Sequence, residues 1–158
     1  MTARFGIGFD AHRLVAGRRL VLGGVEIAHE RGLEGHSDAD VLVHAVIDAL
    51  LGAAGLGDIG LHFPDDDERW RDADSLDLLR RVSGLLDDGG LTVVHVDATV
   101  LAEAPKVSPH RDAMRAALAD ALGIEDGAVN VKATRGEGMG FVGRGEGVAA
   151  LAIATVER

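Results

Sequence analysis

The sequence contains no cysteine, which excludes a disulfide framework and any thiolate metal or redox site. Aromatic residues make up only 3% of the chain, with one Trp, four Phe and no Tyr. So few aromatic rings leave no base-stacking platform of the kind that binds single-stranded nucleic acid. With 26 acidic and 16 basic residues the net charge is −10, and an acidic surface repels nucleic acid and anionic membranes. We expect neither as a partner.

Long apolar segments are also missing. No apolar stretch of signal-peptide length follows Met1. The longest apolar tract, residues 41–56, contains His44 and Asp48, and the last one, residues 148–156, is too short to span a bilayer. We therefore expect a soluble, cytoplasmic protein. A chain of 158 residues that is 47% hydrophobic suits one domain over residues 1–158, with a single core.

Hydrophobic periodicity predicts a mixture of strands and helices. Residues 4–12 alternate, and we expect a strand whose apolar face, Phe5, Ile7, Phe9 and Ala11, is buried. The other patterns predict a hairpin over 19–27, helices over 41–54, 75–87 and 109–122, and strands over 91–101, 129–133 and 148–156. Without strict strand–helix alternation, this order favours the α+β class: a mixed β-sheet with helices packed on one side.

Two polar clusters point to a divalent metal. Asp10 and His12 are two residues apart on a predicted strand, so both side chains project from one face. Four polar residues follow one another at a spacing of three or four: Ser37, Asp40, His44 and Asp48. The first two resemble a capping box at the start of the helix predicted over 41–54, and the last two lie on that helix. Asp10, His12 and His44 would give three ligands and a vacant fourth position, the pattern of catalytic zinc. Asp40 or Asp48 would then hold the His44 ring.

A plainer interpretation of the same residues has His44 as a core histidine bonded to Asp48, with Asp10 and His12 at a strand end in water. The spacing alone leaves both interpretations open. The region between Arg31 and Arg69 holds nine acidic residues and no Lys or Arg, which favours cation binding. The glycine-rich segment 138–147 offers backbone N–H groups to a phosphate, although turn glycines explain that composition equally simply.

Several ordered segments resemble one known family. They are 6–12 (GIGFDAH), 35–41 (GHSDADV), 51–60 (LGAAGLGDIG), 63–65 (FPD), 104–106 (APK) and 129–134 (VNVKAT). Together they are similar to the 2-C-methyl-D-erythritol 2,4-cyclodiphosphate synthases of non-mevalonate isoprenoid synthesis. The resemblance implies a lyase that converts 4-diphosphocytidyl-2-C-methyl-D-erythritol 2-phosphate into the cyclic diphosphate and CMP. Alternatives are a metal-dependent phosphoesterase and a catalytically impaired trimer that binds CDP or isoprenoid diphosphate.

The resemblance also implies roles for single residues. Asp10, His12 and His44 would hold zinc, and Glu137 a second ion, magnesium or manganese, between the phosphates. His36 and Ser37 would contact the 2-phosphate, and His36 would be catalytic. The methylerythritol hydroxyls would be bound by Asp58, Ile59 and Gly60, and a further substrate loop would contain Phe63, Pro64, Asp65 and Asp67. The cytidine would be surrounded by Ala102, Ala104, Pro105, Lys106, Val107 and Ser108. The family forms homotrimers with active sites between subunits. Phe141 and Arg144 would lie near the trimer axis, where a cavity takes isoprenoid diphosphates.

One segment departs from the family pattern. The family usually has a threonine two residues before the metal-binding glutamate, where this chain has Arg135, and Thr134 stands one position early. We expect Arg135 to stabilise the transition state in its place, helped by the Thr134 hydroxyl, because a guanidinium suits phosphate oxygens. In the alternative, Arg135 points to solvent and Thr134 acts alone.

Overall fold

The computed structural model describes residues 1–158 and is an α+β fold, as the sequence predicts. Its strands are β1 (Ala3–Ala16), β2 (Leu20–Leu22), β3 (Val25–Ile27), β4 (Arg31–Leu33), β5 (Thr92–Leu101), β6 (Val129–Thr134) and β7 (Gly147–Glu157). Its helices are α1 (Val41–Ala54), α2 (Ile59–His62), α3 (Ser75–Asp88), α4 (Arg111–Leu122) and α5 (Gly140–Gly143). The short elements β4, α2 and α5 have too few residues to show a period, and the sequence did not predict them.

The main sheet has the strand order β4-β1-β7-β5-β6, and β2 pairs with β3 in a separate hairpin. Only β5 and β6 run parallel, so the sheet is mixed. Helices α1, α3 and α4 pack on one face of the sheet, where the apolar core lies. None of the helices combines the length and the apolar character that crossing a membrane requires.

Two glycines of β1 let helix α1 lie directly on the sheet. A Cβ atom added to Gly8 would lie 1.9 Å from the Ala45 carbonyl oxygen, and one added to Gly6 would lie 1.9 Å from that of Ala49. Any side chain at these positions would therefore push the helix away. Asp10 follows on the same face of β1, so this close approach brings it next to α1.

The prediction that Phe5, Ile7, Phe9 and Ala11 form the buried face of β1 is wrong for the single chain. The exposed fractions of Phe5, Ile7 and Phe9 are 69%, 71% and 55%, and Ala11 is exposed too, because α1 covers the opposite, glycine face. The exposed apolar surface continues onto β7, where Leu151 pairs with Phe9 and Ile153 pairs with Ile7. An apolar sheet face of this kind marks an interaction surface.

Helix α1 begins differently from the predicted capping box at Ser37. Its N-cap is Asp40, whose carboxylate accepts from Val43 N at 3.0 Å. The same carboxylate accepts from Gly23 N at 2.9 Å and Gly24 N at 2.7 Å, in the turn between β2 and β3. Burial raises the pKa of Asp40 to about 6. Asp40 thus fastens α1 to the hairpin and is structural.

Candidate functional site

The structure brings the three predicted metal ligands together. Asp10 Oδ2 lies 2.9 Å from His12 Nε2 and 3.0 Å from His44 Nδ1. The three potential ligand atoms, one from each of these residues, all lie within 4.8 Å of one another. His44 therefore contacts Asp10 and not Asp48, and the plainer interpretation of a core histidine beside a solvated strand end is wrong.

The charges of this cluster suit a cation. Burial by itself would raise the pKa of Asp10, but hydrogen bonds from His12 and His44 outweigh it and lower the pKa to about 2. Burial acts to lower the pKa of His12, and the hydrogen bond to Asp10 overcomes it, so that this pKa is raised. A carboxylate and two imidazoles form a donor set that zinc prefers. The residues present therefore fit the predicted ion.

Hydrogen bonds behind the cluster orient both imidazole rings. His12 Nδ1 donates to the Glu34 carbonyl oxygen at 2.7 Å, which turns Nε2 towards Asp10. His44 Nε2 lies 2.8 Å from Ser75 Oγ and 3.2 Å from Ser37 Oγ.

The prediction that Asp40 or Asp48 holds the His44 ring is wrong. Asp40 caps α1, and Asp48 accepts from Ile59 N at 2.8 Å. Helical spacing places Asp40, His44 and Asp48 along one side of α1. The hydrogen-bond partner of each residue depends on which element packs against that part of the helix.

The Asp10–His12–His44 cluster opens into a cavity of about 200 Å³. Its wall consists of Asp10, His12, Gly35, His36, Ser37, His44, Ile59, Gly60, Phe63, Asp65, Trp70 and Leu78. Most of the substrate residues that the resemblance implies for this part of the chain are among them. The sequence did not single out Trp70, whose ring meets that of Phe63 edge-on with 5.0 Å between the ring centroids.

Three predicted substrate residues, Asp58, Pro64 and Asp67, do not line this cavity. Asp58 caps α2 by accepting from Leu61 N at 3.0 Å, and so fixes the turn that carries Ile59 and Gly60.

Asp67 is paired with Arg69, whose hydrogen bond lowers the pKa of the Asp67 carboxyl. The Asp67 carbonyl oxygen accepts from His36 Nε2 at 3.0 Å. Because that bond engages Nε2, the other ring nitrogen of His36 is the one available to a ligand in the cavity.

A second cavity, of about 540 Å³, lies where the parallel strands β5 and β6 end. It is lined by Ala102, Glu103, Ala104, Pro105, Lys106, Val107, Ser108, Arg111, Ala133, Thr134 and Arg135. All six predicted cytidine contacts are in this wall, together with Thr134 and Arg135. Three basic side chains and one acidic one give the cavity a net positive lining, which suits a phosphate.

Arg135 is turned towards Glu103. Its Nη2 lies 3.0 Å from Glu103 Oε1, and Gly136 N donates to Glu103 Oε2 at 2.9 Å. The hydrogen bond from Arg135 lowers the pKa of Glu103. The Arg135 side chain is 65% exposed and lines the cavity. Glu137 lines neither of the two cavities.

Phe141 lines a third, open cavity of about 220 Å³ beside Ala11, Arg13 and Glu146. Arg144 does not line it, but pairs with Glu146 at 3.4 Å. Ala11 and Arg13 alternate with His12 along β1 and so share the outer, apolar face of the sheet with Phe9. His12 and Gly147 complete the lining of this cavity.

Comparison with known proteins identifies the family and supports the fold. The sequence profile of the YgbB family matches residues 3–157. The chain belongs to the YgbB family. The 2-C-methyl-D-erythritol 2,4-cyclodiphosphate synthase of Salinibacter ruber is a relative that is 61% identical over 154 residues, covering 98% of each chain. The resemblance stated from the motifs is thus confirmed.

Solved structures agree with the family assignment. A 2C-methyl-D-erythritol-2,4-cyclodiphosphate synthase in a CDP-bound form superposes with a TM-score of 0.89 at 36% identity, covering 98% of this chain and 100% of that one. The bifunctional IspDF of Campylobacter jejuni superposes with a TM-score of 0.94 at 41% identity, covering 98% of this chain and 42% of that longer one. Like these YgbB-family synthases, the chain is an enzyme.

Proposed function

We propose that the chain converts 4-diphosphocytidyl-2-C-methyl-D-erythritol 2-phosphate into 2-C-methyl-D-erythritol 2,4-cyclodiphosphate and CMP. The observation that carries the proposal is the Asp10–His12–His44 cluster in the wall of a cavity that is also lined by residues predicted to bind the substrate. The relative from Salinibacter ruber, named for this product, supports the assignment. The reaction is an intramolecular phosphoryl transfer, which makes the enzyme a phosphorus–oxygen lyase.

The metal requirement follows from the donor set. Asp10, His12 and His44 would hold the first ion, with zinc the best fit to two imidazoles and a carboxylate. Glu137 would help to hold a second ion, magnesium or manganese, together with diphosphate oxygens. Bound divalent cations would neutralise the diphosphate charge, so that a second anionic phosphate can approach.

The chemistry needs no nucleophile from the protein. An oxygen of the 2-phosphate forms a bond to the β-phosphorus, and the bond from that phosphorus to the bridging oxygen breaks, leaving that oxygen on CMP. The chain must bring these two groups into line. His36 and Ser37, which lie in the cavity wall beside the Asp10–His12–His44 cluster, would hold the 2-phosphate. The α2 turn would orient the sugar hydroxyls through Asp58, Ile59 and Gly60.

The second cavity would bind the cytidine diphosphate portion. Its backbone-rich wall around Pro105 suits recognition of a base, and Lys106 supplies a cation for phosphate. The CDP-bound form of a solved relative supports a nucleotide site in this family. Arg135 would stabilise the charge that develops at the diphosphate, with the Thr134 hydroxyl beside it.

The active form would be a homotrimer, with each site shared between two subunits. The metal cavity and the nucleotide cavity have no residue in common, so a site that combines them within one chain would have to bridge separate surfaces. The exposed apolar face of β1 and β7 supplies the contact area for assembly. The third cavity, which Phe141 lines, would then lie near the axis together with Arg144 and take an isoprenoid diphosphate.

Mixed trimers test the shared site. His12→Ala disables the metal cavity and Lys106→Ala the nucleotide cavity, so each variant alone should be inactive or severely impaired. In equimolar co-refolded trimers about a quarter of the sites would combine two intact halves, and activity should recover to that extent. Absence of recovery in verified mixed trimers would place the whole site within one subunit.

Product analysis tests the proposed reaction itself. The purified enzyme is incubated with the diphosphocytidyl substrate, with and without a chelator, and followed by phosphorus NMR. We expect cyclic diphosphate and CMP, abolished by the chelator. Release of inorganic phosphate would identify a metal-dependent phosphoesterase instead, and tight binding without turnover would identify a binding protein.

A further inference from the structure

Two residues behind His44, on the side away from the cavity, have no role in the function proposed above. Ser75 is the first residue of α3 and is completely buried, with its Oγ 2.8 Å from His44 Nε2. Asp38 lies beyond it. One Asp38 oxygen is hydrogen-bonded to Ser75 Oγ, and the other accepts from Ser75 N at 2.9 Å.

The direction of each hydrogen bond follows from counting hydrogens. A serine hydroxyl has one hydrogen to donate, and carboxylate oxygens can only accept. Ser75 must therefore donate to Asp38, whose oxygens are also engaged by Asp40 N at 3.1 Å. Towards His44 the hydroxyl oxygen can then only accept. The ring hydrogen that it accepts is the one on Nε2.

We infer that Asp38 and Ser75 are positioning residues that keep the ring hydrogen of His44 on Nε2. In the neutral ring the lone pair of Nδ1 then faces the cavity, where it would be available to a divalent cation in place of the hydrogen bond to Asp10. This inference rests on the proposed function in one respect, namely that a divalent cation binds at Asp10, His12 and His44. It assigns to a buried serine and its aspartate partner the support that metal-binding histidines usually receive from a carboxylate or a carbonyl group.

Zinc affinity measures this support without any assay of turnover. In competition with a chromophoric chelator, Ser75→Ala should bind zinc ~10–100-fold more weakly than the wild type, the loss typical of removing such a partner. Asp38→Asn should weaken binding in the same direction, because an amide cannot accept from both the Ser75 hydroxyl and Ser75 N. It also serves as the second variant if Ser75→Ala does not fold.

Asp48→Asn is the matched control. Asp48 lies one turn after His44 on α1, but its carboxylate accepts from Ile59 N and makes no bond to the His44 ring. An asparagine oxygen can still accept that N–H. Zinc affinity should therefore stay at the wild-type value, which separates the specific contact from a general loss of negative charge near the site.

Nitrogen-15 NMR of the zinc-loaded protein provides a spectroscopic readout. The His44 Nε2–H resonance should be visible and protected from exchange with water in the wild type, and should exchange faster in Ser75→Ala. If Ser75→Ala and Asp38→Asn both kept the zinc affinity and the Nε2–H protection of the wild type, the inference would be overturned and the proposed function would stand. Failure of the wild type to bind zinc would overturn the metal site of the proposed function, and the inference with it.

Discussion

Replacing Gly8 by alanine tests how the fold builds the site. The added Cβ would lie 1.9 Å from the Ala45 carbonyl oxygen and 2.8 Å from Ala49 N. Ordinary contact begins at 3.4 Å, so α1 would have to move by about 3.4 − 1.9 = 1.5 Å. All the atoms in the way belong to the helix backbone, which cannot rotate aside as a side chain would.

We place the cost of Gly8→Ala at about 3 kcal/mol or more, the upper end for overpacking a core. For a chain of this length that corresponds to a fall in melting temperature of roughly 6–12 °C. The same movement separates His44 on α1 from Asp10 on β1, so zinc affinity should fall as well. Calorimetry and a zinc competition titration, at matched protein concentration, measure the two effects.

Gly84→Ala is the control for this substitution. Gly84 lies within α3, and an added Cβ there meets nothing within 4 Å. Alanine should stabilise an exposed helical position by roughly 0.5–1 kcal/mol. If Gly8→Ala melted at the wild-type temperature and bound zinc normally, the direct contact between α1 and β1 would not be what positions the metal ligands.

Three further predictions concern single side chains. His44→Ala should lose tightly bound zinc and nearly all turnover while the circular dichroism spectrum is unchanged, because two ligands hold zinc weakly; stoichiometric zinc with normal kcat would contradict the assigned ligand. The pKa of Asp10 lies at about 2, below its ordinary 3.8, so its charged form stabilises the metal-free fold above about pH 4 by about 2 kcal/mol, lost as the pH falls towards 2. About half of this loss falls between pH 5 and pH 3, so the fall in urea unfolding free energy over that range should be about 1 kcal/mol larger in the wild type than in Asp10→Asn. Arg135→Ala should lower kcat by ~10–100-fold, as for one charge-assisted contact in a transition state. Wild-type kcat in that variant, with a large loss in Thr134→Ala, would assign the role to threonine alone.

Local patterns predicted most of the secondary structure and the three residues that the structure groups as a candidate metal site. The spacing of two on β1 and the helical spacing around His44 are both local, and they place side chains on a face without any knowledge of the rest of the fold. The close packing of β1 against α1 then joins the two faces. The motifs that resemble a known family supplied the proposed roles of the remaining residues, which spacing by itself does not reveal.

Alternation along β1 shows two faces but does not show which one a helix will cover. Phe5, Ile7 and Phe9 were expected in the core because they are apolar, whereas the structure buries Gly6 and Gly8. Glycines at alternate positions of a strand were the available signal, since they allow another backbone to approach closely. The apolar face is then free for contacts between chains.

The contact between His44 and Ser75 could not be predicted because the two residues are distant in the sequence. Ser75 lies 31 residues from His44, and Asp38 lies 37 residues from Ser75. Helical spacing instead suggested Asp40 and Asp48, each of which accepts a backbone N–H from another element. The contact between Glu103 and Arg135 is of the same kind, because it depends on the parallel pairing of β5 with β6.

Phosphorus NMR of a single sample with known metal content tests the central claim most directly. Enzyme stripped of metal is reloaded with one equivalent of zinc per chain and with magnesium, and is then given the diphosphocytidyl substrate. The account predicts a pair of mutually coupled phosphorus signals from the cyclic diphosphate, an equal amount of CMP, and no turnover before metal is restored. Inorganic phosphate as the product, or full turnover by the stripped enzyme, would contradict it.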